Sequence, residues 1–70
     1  MNFAFVVRDL RKMRHLTQMR LAENAGLSVS TIIRIEEKND YPNMITAKAL
    51  AEALGVKTSE LVRMAEQHGE

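Results

Sequence analysis

The chain has no cysteine and no tryptophan, one proline, three glycines and three aromatic residues among its 70. Without cysteine, neither a disulfide framework nor a thiolate metal site can supplement the core, and nothing is said about redox compartment. Three aromatics offer no stacking platform for unpaired bases, which disfavours RNA binding. No run of about 18 apolar residues exists for a membrane span. The start MNFAFVVRDL lacks the basic and long apolar stretches of a signal peptide, so the expected location is the cytoplasm. No Pro-, Gly- or Ser-rich linker and no repeat divides the sequence, and residues 1–70 are expected to form one domain.

Catalytic chemistry is equally thinly represented. There is no Ser-His-Asp set, paired acid cluster or phosphate-cradling glycine loop, and a domain this small has little room for a buried pocket. His15 and His68 lie in no metal-ligand spacing and are expected to be exposed. Neither an enzyme, a metal nor a cofactor is expected.

What is present is helix signal. Net charge is only +1, but five basic side chains (Arg8, Arg11, Lys12, Arg14 and Arg20) face Asp9 alone in the first 20 residues. Such segregation suits either a solvated helix face or a polyanion site. Phe3, Val6, Val7, Leu10 and Met13 recur at three- and four-residue steps, predicting a helix from Phe3 to about Arg14. Thr17 can cap a short helix over Gln18–Ala25, with Leu21, Ala22 and Ala25 inward and Gly26 as its stop. Ser28 caps a third helix from Val29 to about Glu37, which buries Ile32 and Ile35 and leaves Val29, Ser30, Ile33 and Arg34 outside. After the loop Lys38–Pro42, Asn43 caps a fourth helix reaching Leu54, with Ala47, Leu50, Ala51 and Leu54 inside and Gly55 at its end. Thr58 or Ser59 caps a fifth through about Gln67, carrying Leu61, Val62 and Ala65 as its apolar stripe; His68-Gly69-Glu70 reads as a frayed tail. The fold class is therefore all-α, a compact bundle of five helices.

Gln18 to Glu36 reads as two helices meeting at a steep angle. Ala22 is small where they cross, Gly26 makes the turn, and Leu21, Leu27, Ile32 and Ile35 join the pair from inside. Such a corner is also a common packing device. Four segments taken together resemble the lambda repressor and Cro-like helix-turn-helix family: Leu10 to Gln18, Leu21 to Ser28, Ile32 to Glu36, and Pro42 with Ala51 to Val56.

The resemblance implies a prokaryotic or phage transcriptional regulator of double-stranded DNA, with helices two and three as the helix-turn-helix. It places Val29, Ser30, Ile33 and Arg34 at base edges, with Arg34 the strongest reader. An arginine can donate two parallel hydrogen bonds to guanine O6 and N7, whereas Val29 offers only apolar contact. The competing role for Arg34 is a surface ion pair with Glu37 or Glu23. Gln18 is implied as a phosphate clamp, and Arg20, Thr31, Lys38, Asn39 and Asn43 as further phosphate contacts. Arg11 and Glu36 match a pair that forms an internal salt bridge in the family. The chain departs from the family pattern at His15 and Lys38, where glycine is usual, and at Arg20, where glutamate is usual.

The expected assembly is a homodimer on a pseudo-palindromic operator, pairing through Leu61, Val62 and Met64, whose other role is to close the monomer core. The expected activity is repression by promoter occupancy, with contact to RNA polymerase as the activating route. A different class of function is an antitoxin or protein-interaction adaptor that neutralises a toxin partner and binds DNA secondarily. A restriction-modification controller lies within the leading class.

Overall fold

The computed structural model describes residues 1–68 as five helices: α1 (Phe3–Met13), α2 (Gln18–Ala25), α3 (Val29–Lys38), α4 (Met44–Leu54) and α5 (Thr58–Gln67). Among these residues there is no strand. Gly69 and Glu70 of the expected tail lie outside the described residues; His68 caps α5 and its exposed ring lies 4.7 Å from that of Phe5.

Side-chain caps start four of the helices. The Asn2, Thr17, Ser28 and Asn43 side-chain oxygens accept hydrogen bonds from the backbone N–H groups of Phe5, Arg20, Thr31 and Thr46 at 2.8–3.2 Å. The fifth start differs from expectation. α5 begins after Lys57, whose N–H donates to the Glu60 carboxylate at 2.9 Å, so the cap is supplied from inside the helix rather than by Thr58 or Ser59.

The first four helices end by one device. His15, Gly26, Asn39 and Gly55 all have φ between 55° and 76°, and each turns the chain out of the preceding helix. At Gly26 the next N–H, that of Leu27, returns to the Ala22 carbonyl at 2.8 Å, closing a Schellman-type end. At His15 the N–H of Leu16 returns to the Arg11 carbonyl at 3.1 Å in the same way. This early turn explains the departure at Met13, which was expected on the apolar face but is 61% exposed. α1 stops there, and Leu16 packs against the core instead. α3 runs one residue beyond Glu37, because Asn39 rather than Lys38 takes the left-handed position.

The core draws on all five helices. Val7, Leu21, Ile32, Ile35, Leu50, Leu54 and Leu61 are fully buried, each contributing about 1.5–3 kcal/mol of transfer free energy. α3 packs on α1 and α2, α2 on α4, and α5 on α1 and α4. The Asn2 N–H reaches the Ala65 carbonyl at 2.9 Å, tying the chain start to α5. The Tyr41 hydroxyl donates to the Met1 carbonyl at 2.8 Å and its ring meets Phe3 edge-on, pinning the α3–α4 loop to α1. α3 is thus fixed from two sides, with its remaining face open.

Candidate nucleic-acid interface

The α2–α3 corner is built around a small residue and a buried charge. Ala22 is buried where α2 meets its neighbours, and Gly26 needs its φ of +69° rather than space, since nothing lies within 4 Å of where a Cβ would stand. Ile32 and Ile35 anchor α3 inward, and on their face lies Glu36, 2% exposed. A carboxylate buried this deeply is tolerable only when fully paired. Arg11 supplies a bidentate fork, Nε to Oε2 at 2.7 Å and Nη2 to Oε1 at 3.0 Å, and its Nη1 donates to the Leu16 carbonyl at 2.8 Å. Gln18 Nε2 donates to Oε1 at 3.1 Å, and Arg8 Nη2 to the Glu36 backbone carbonyl at 2.7 Å. Among the described residues no buried side-chain nitrogen or oxygen lacks a partner.

This network reassigns the basic N-terminal third. Arg8 and Arg11 turn inward to Glu36, and Arg20 pairs with Glu23 at 3.7 Å along α2, so the segregated charge is largely consumed within the molecule. Lys12 and Arg14 are exposed.

On the outward side of α3, Ser30 and Arg34 are exposed and Ile33 is half-buried. Val29 departs from the expected outer position: it is half-buried and packs against the core, because it follows directly on the turn that brings α3 back over α2. The structure pairs Arg34 with Asp40, Nε to Oδ2 at 3.6 Å, rather than with Glu37 or Glu23. The Thr31 hydroxyl is 3.0 Å from that of Ser28 and so engaged at the helix start. Lys38 and Asn39 are exposed at the end of α3.

Two helix N-termini lie beside this face. Thr17 takes the Arg20 N–H at 3.0 Å, leaving the first N–H groups of α2 without intrahelical partners, and Asn43 does the same for Thr46 at the start of α4. Gln18 meets the exposed Glu37 carboxylate at 3.3 Å as well as Glu36, so one of its donors is held at the surface. A cleft of about 160 Å³ lies between Thr31, Arg34, Asp40, Tyr41, Asn43 and Thr46. Among the described residues no cluster of His, Asp or Glu has the make-up of a metal site, and no helix is long and apolar enough to cross a membrane.

The helix-turn-helix family pattern matches residues 7–61, and the α2–α3 corner sits at its centre. This chain belongs to the helix-turn-helix family, of the lambda repressor and Cro-like type. It is 43% identical over 56 residues to the immunity repressor protein of Bacillus phage phi105, a match covering 80% of this chain and 39% of that protein. It is 36% identical over 64 residues to an uncharacterized HTH-type transcriptional regulator of Methanothermobacter thermautotrophicus, covering 91% and 93%. It is 35% identical over 60 residues to the cryptic phage CTXphi transcriptional repressor RstR of Vibrio cholerae, covering 86% and 54%. The chain therefore spans well under two thirds of the two repressors and nearly all of the third relative.

Within the helix-turn-helix frame, the expected pairing residues need correcting. Leu61 is 0% exposed and closes the core between α1 and α4, so it offers no surface to a partner. Val62 and Met64 are half-buried against the same core. The exposed large apolar side chains are elsewhere: Met1, Phe5, Met13, Met19, Tyr41, Met44 and Ile45, of which Tyr41, Met44 and Ile45 fall within five residues and Ile45 is 81% exposed. The sequence reading also passed over Asp40 and Arg8. Asp40 is six residues from Arg34, outside any helical spacing, and only the turn at Asn39 brings the two together.

Proposed function

We propose that residues 1–70 act as one sequence-specific, double-stranded DNA-binding domain that regulates transcription, with α3 in the major groove and α2 across the phosphate backbone. The carrying observation is the disposition of α3. Ile32, Ile35 and Glu36 fix one face in the core while Ser30 and Arg34 stand exposed on the other, beside the N-terminus of α2. Arg34 is the base reader and Ser30 a permissive neighbour, with Ile33 against a thymine methyl or a sugar and Val29 only at the edge of the groove. Gln18, Arg20, Thr31, Lys38, Asn39 and Asn43 are the backbone contacts, of which Gln18 and Arg20 must first exchange the carboxylates they now face. The names of two relatives favour repression, by occupancy of a promoter at the nucleoid in the cytoplasm.

A homodimer supplies what one helix lacks. α3 spans 10 residues and reaches only a few base pairs, so useful selectivity needs two half-sites. The surface that fits a second copy is Tyr41, Met44 and Ile45, in place of the fully buried Leu61.

Selection of bound sequences from random duplex DNA tests the reading. The wild type should enrich a motif with two-fold symmetry. Arg34→Ala should relax one base position, whereas Gln18→Ala should weaken all sequences alike and reduce the salt slope by about one phosphate's worth. Absence of any enriched motif would overturn the proposal.

A further inference from the structure

Asp40 is held beside Arg34 by two separate contacts. Its N–H donates to the Arg34 carbonyl at 3.1 Å, and its Oδ2 lies 3.6 Å from the Arg34 Nε. The first contact follows from the left-handed turn at Asn39, whose own N–H also donates to the Arg34 carbonyl. The carboxylate is therefore brought to the guanidinium by the path of the chain and not by charge attraction alone. Both side chains are 57% exposed and line the same cleft beside Asn43. A pair this exposed adds little to stability. A carboxylate at this edge of α3 would also oppose approach to phosphates, weakening binding to DNA of any sequence.

We infer that Asp40 is a specificity-determining residue: its carboxylate compensates the Arg34 charge from the Nε side, away from the phosphate backbone, and leaves the guanidinium's terminal N–H groups for a guanine. This inference rests on the DNA-binding reading above. A guanidinium presents five N–H donors in a planar fork, so a contact at Nε leaves the far edge able to donate to guanine O6 and N7. At a site without guanine the Arg34 charge stays compensated by its own carboxylate, and non-specific binding loses one effective cation. At the cognate base the paired acceptors O6 and N7 draw the terminal N–H groups in, and the bidentate pair outweighs the compensation by Asp40.

The test is binding of wild type, Asp40→Asn, Arg34→Ala and the double variant to the selected operator and to random duplex, over a range of salt. Asparagine keeps the backbone N–H contact and removes only the charge. Asp40→Asn should bind random duplex roughly two- to fivefold more tightly, as expected for release of an exposed ion pair. It should gain less on the operator, so the specificity ratio falls and preference relaxes at the base position that Arg34→Ala also relaxes. In the Arg34→Ala background the same change should move operator and random DNA by equal factors. Equal tightening of both DNAs with Arg34 present, or no change in either, would overturn the assignment. A wild type that selects no sequence would remove the DNA-binding reading and this inference with it; a wild type that selects a motif beside an unaltered Asp40→Asn ratio removes this inference alone.

Discussion

Glu36 shows how one residue organises the molecule. Its carboxylate is fully desolvated; Arg11 and Gln18 donate to it from α1 and α2, and Arg8 stands 3.8 Å from it while donating to the Glu36 backbone carbonyl. Truncating Arg11 leaves that charge buried with its strongest partner gone, so Arg11→Ala should lower unfolding free energy by about 3–5 kcal/mol, read from urea melts followed by circular dichroism. If the cost is that of a stranded charge, Glu36→Gln in the same background should recover part of it; a loss under 1 kcal/mol for Arg11→Ala would contradict the assignment. His15 is the opposite case, a residue that works against the fold. It holds φ at 58° without the freedom of glycine, a conformation that costs an ordinary side chain about 1–2 kcal/mol. Offset by the greater unfolded-state entropy of glycine, His15→Gly should still stabilise by about 0.5–1 kcal/mol and raise the melting temperature accordingly.

At the scale of the element, the α2–α3 turn depends on Gly26 for conformation and not for room. Gly26→Ala meets no atom within 4 Å, so its cost is the φ strain alone. That cost should be about 1–2 kcal/mol, smaller than a buried clash would give, and native-state hydrogen exchange should show it as earlier opening of α2 and α3. The same region shows why the sequence was readable where it was. Capping chemistry is local: Thr17, Ser28 and Asn43 are recognisable because an oxygen three residues before a free N–H is enough to start a helix. Left-handed ends are readable where glycine marks them, at Gly26 and Gly55, and less so where His15 and Asn39 serve, because those residues also occupy ordinary positions. α3 therefore proved one residue longer than its pattern, and Met13 came out on the surface. Arg34 and Asp40 were beyond sequence reasoning for a related reason. Their meeting depends on a backbone turn between them, and helical periodicity carries no information past a helix end.

At the scale of the whole molecule, burial and assembly compete for the same apolar residues. The sequence places Leu61, Val62 and Met64 at a dimer interface, with closing the core as their other role; closing a five-helix core takes Leu61 entirely and leaves the other two half-covered. Apolar surface that the core cannot use is left at the chain start, on α1 and on α2, and is most exposed at the first turn of α4, where Met44 is 72% and Ile45 81% exposed. Recognition helices on successive major grooves must stand about 34 Å apart, and the molecule measures 28 × 23 × 23 Å. In the proposed homodimer, two copies set side by side come within reach of that spacing, with the start of α4 as their contact. Ile45→Gln touches nothing in the core, and its effect on monomer stability should stay within about 0.5 kcal/mol. It should nonetheless shift sedimentation equilibrium toward monomer and weaken binding to the full two-fold site by about tenfold or more, since the second half-site loses its effective concentration. Binding to an isolated half-site should not change. A variant that still sediments with the wild type, or loses half-site binding in proportion, would overturn the proposed contact.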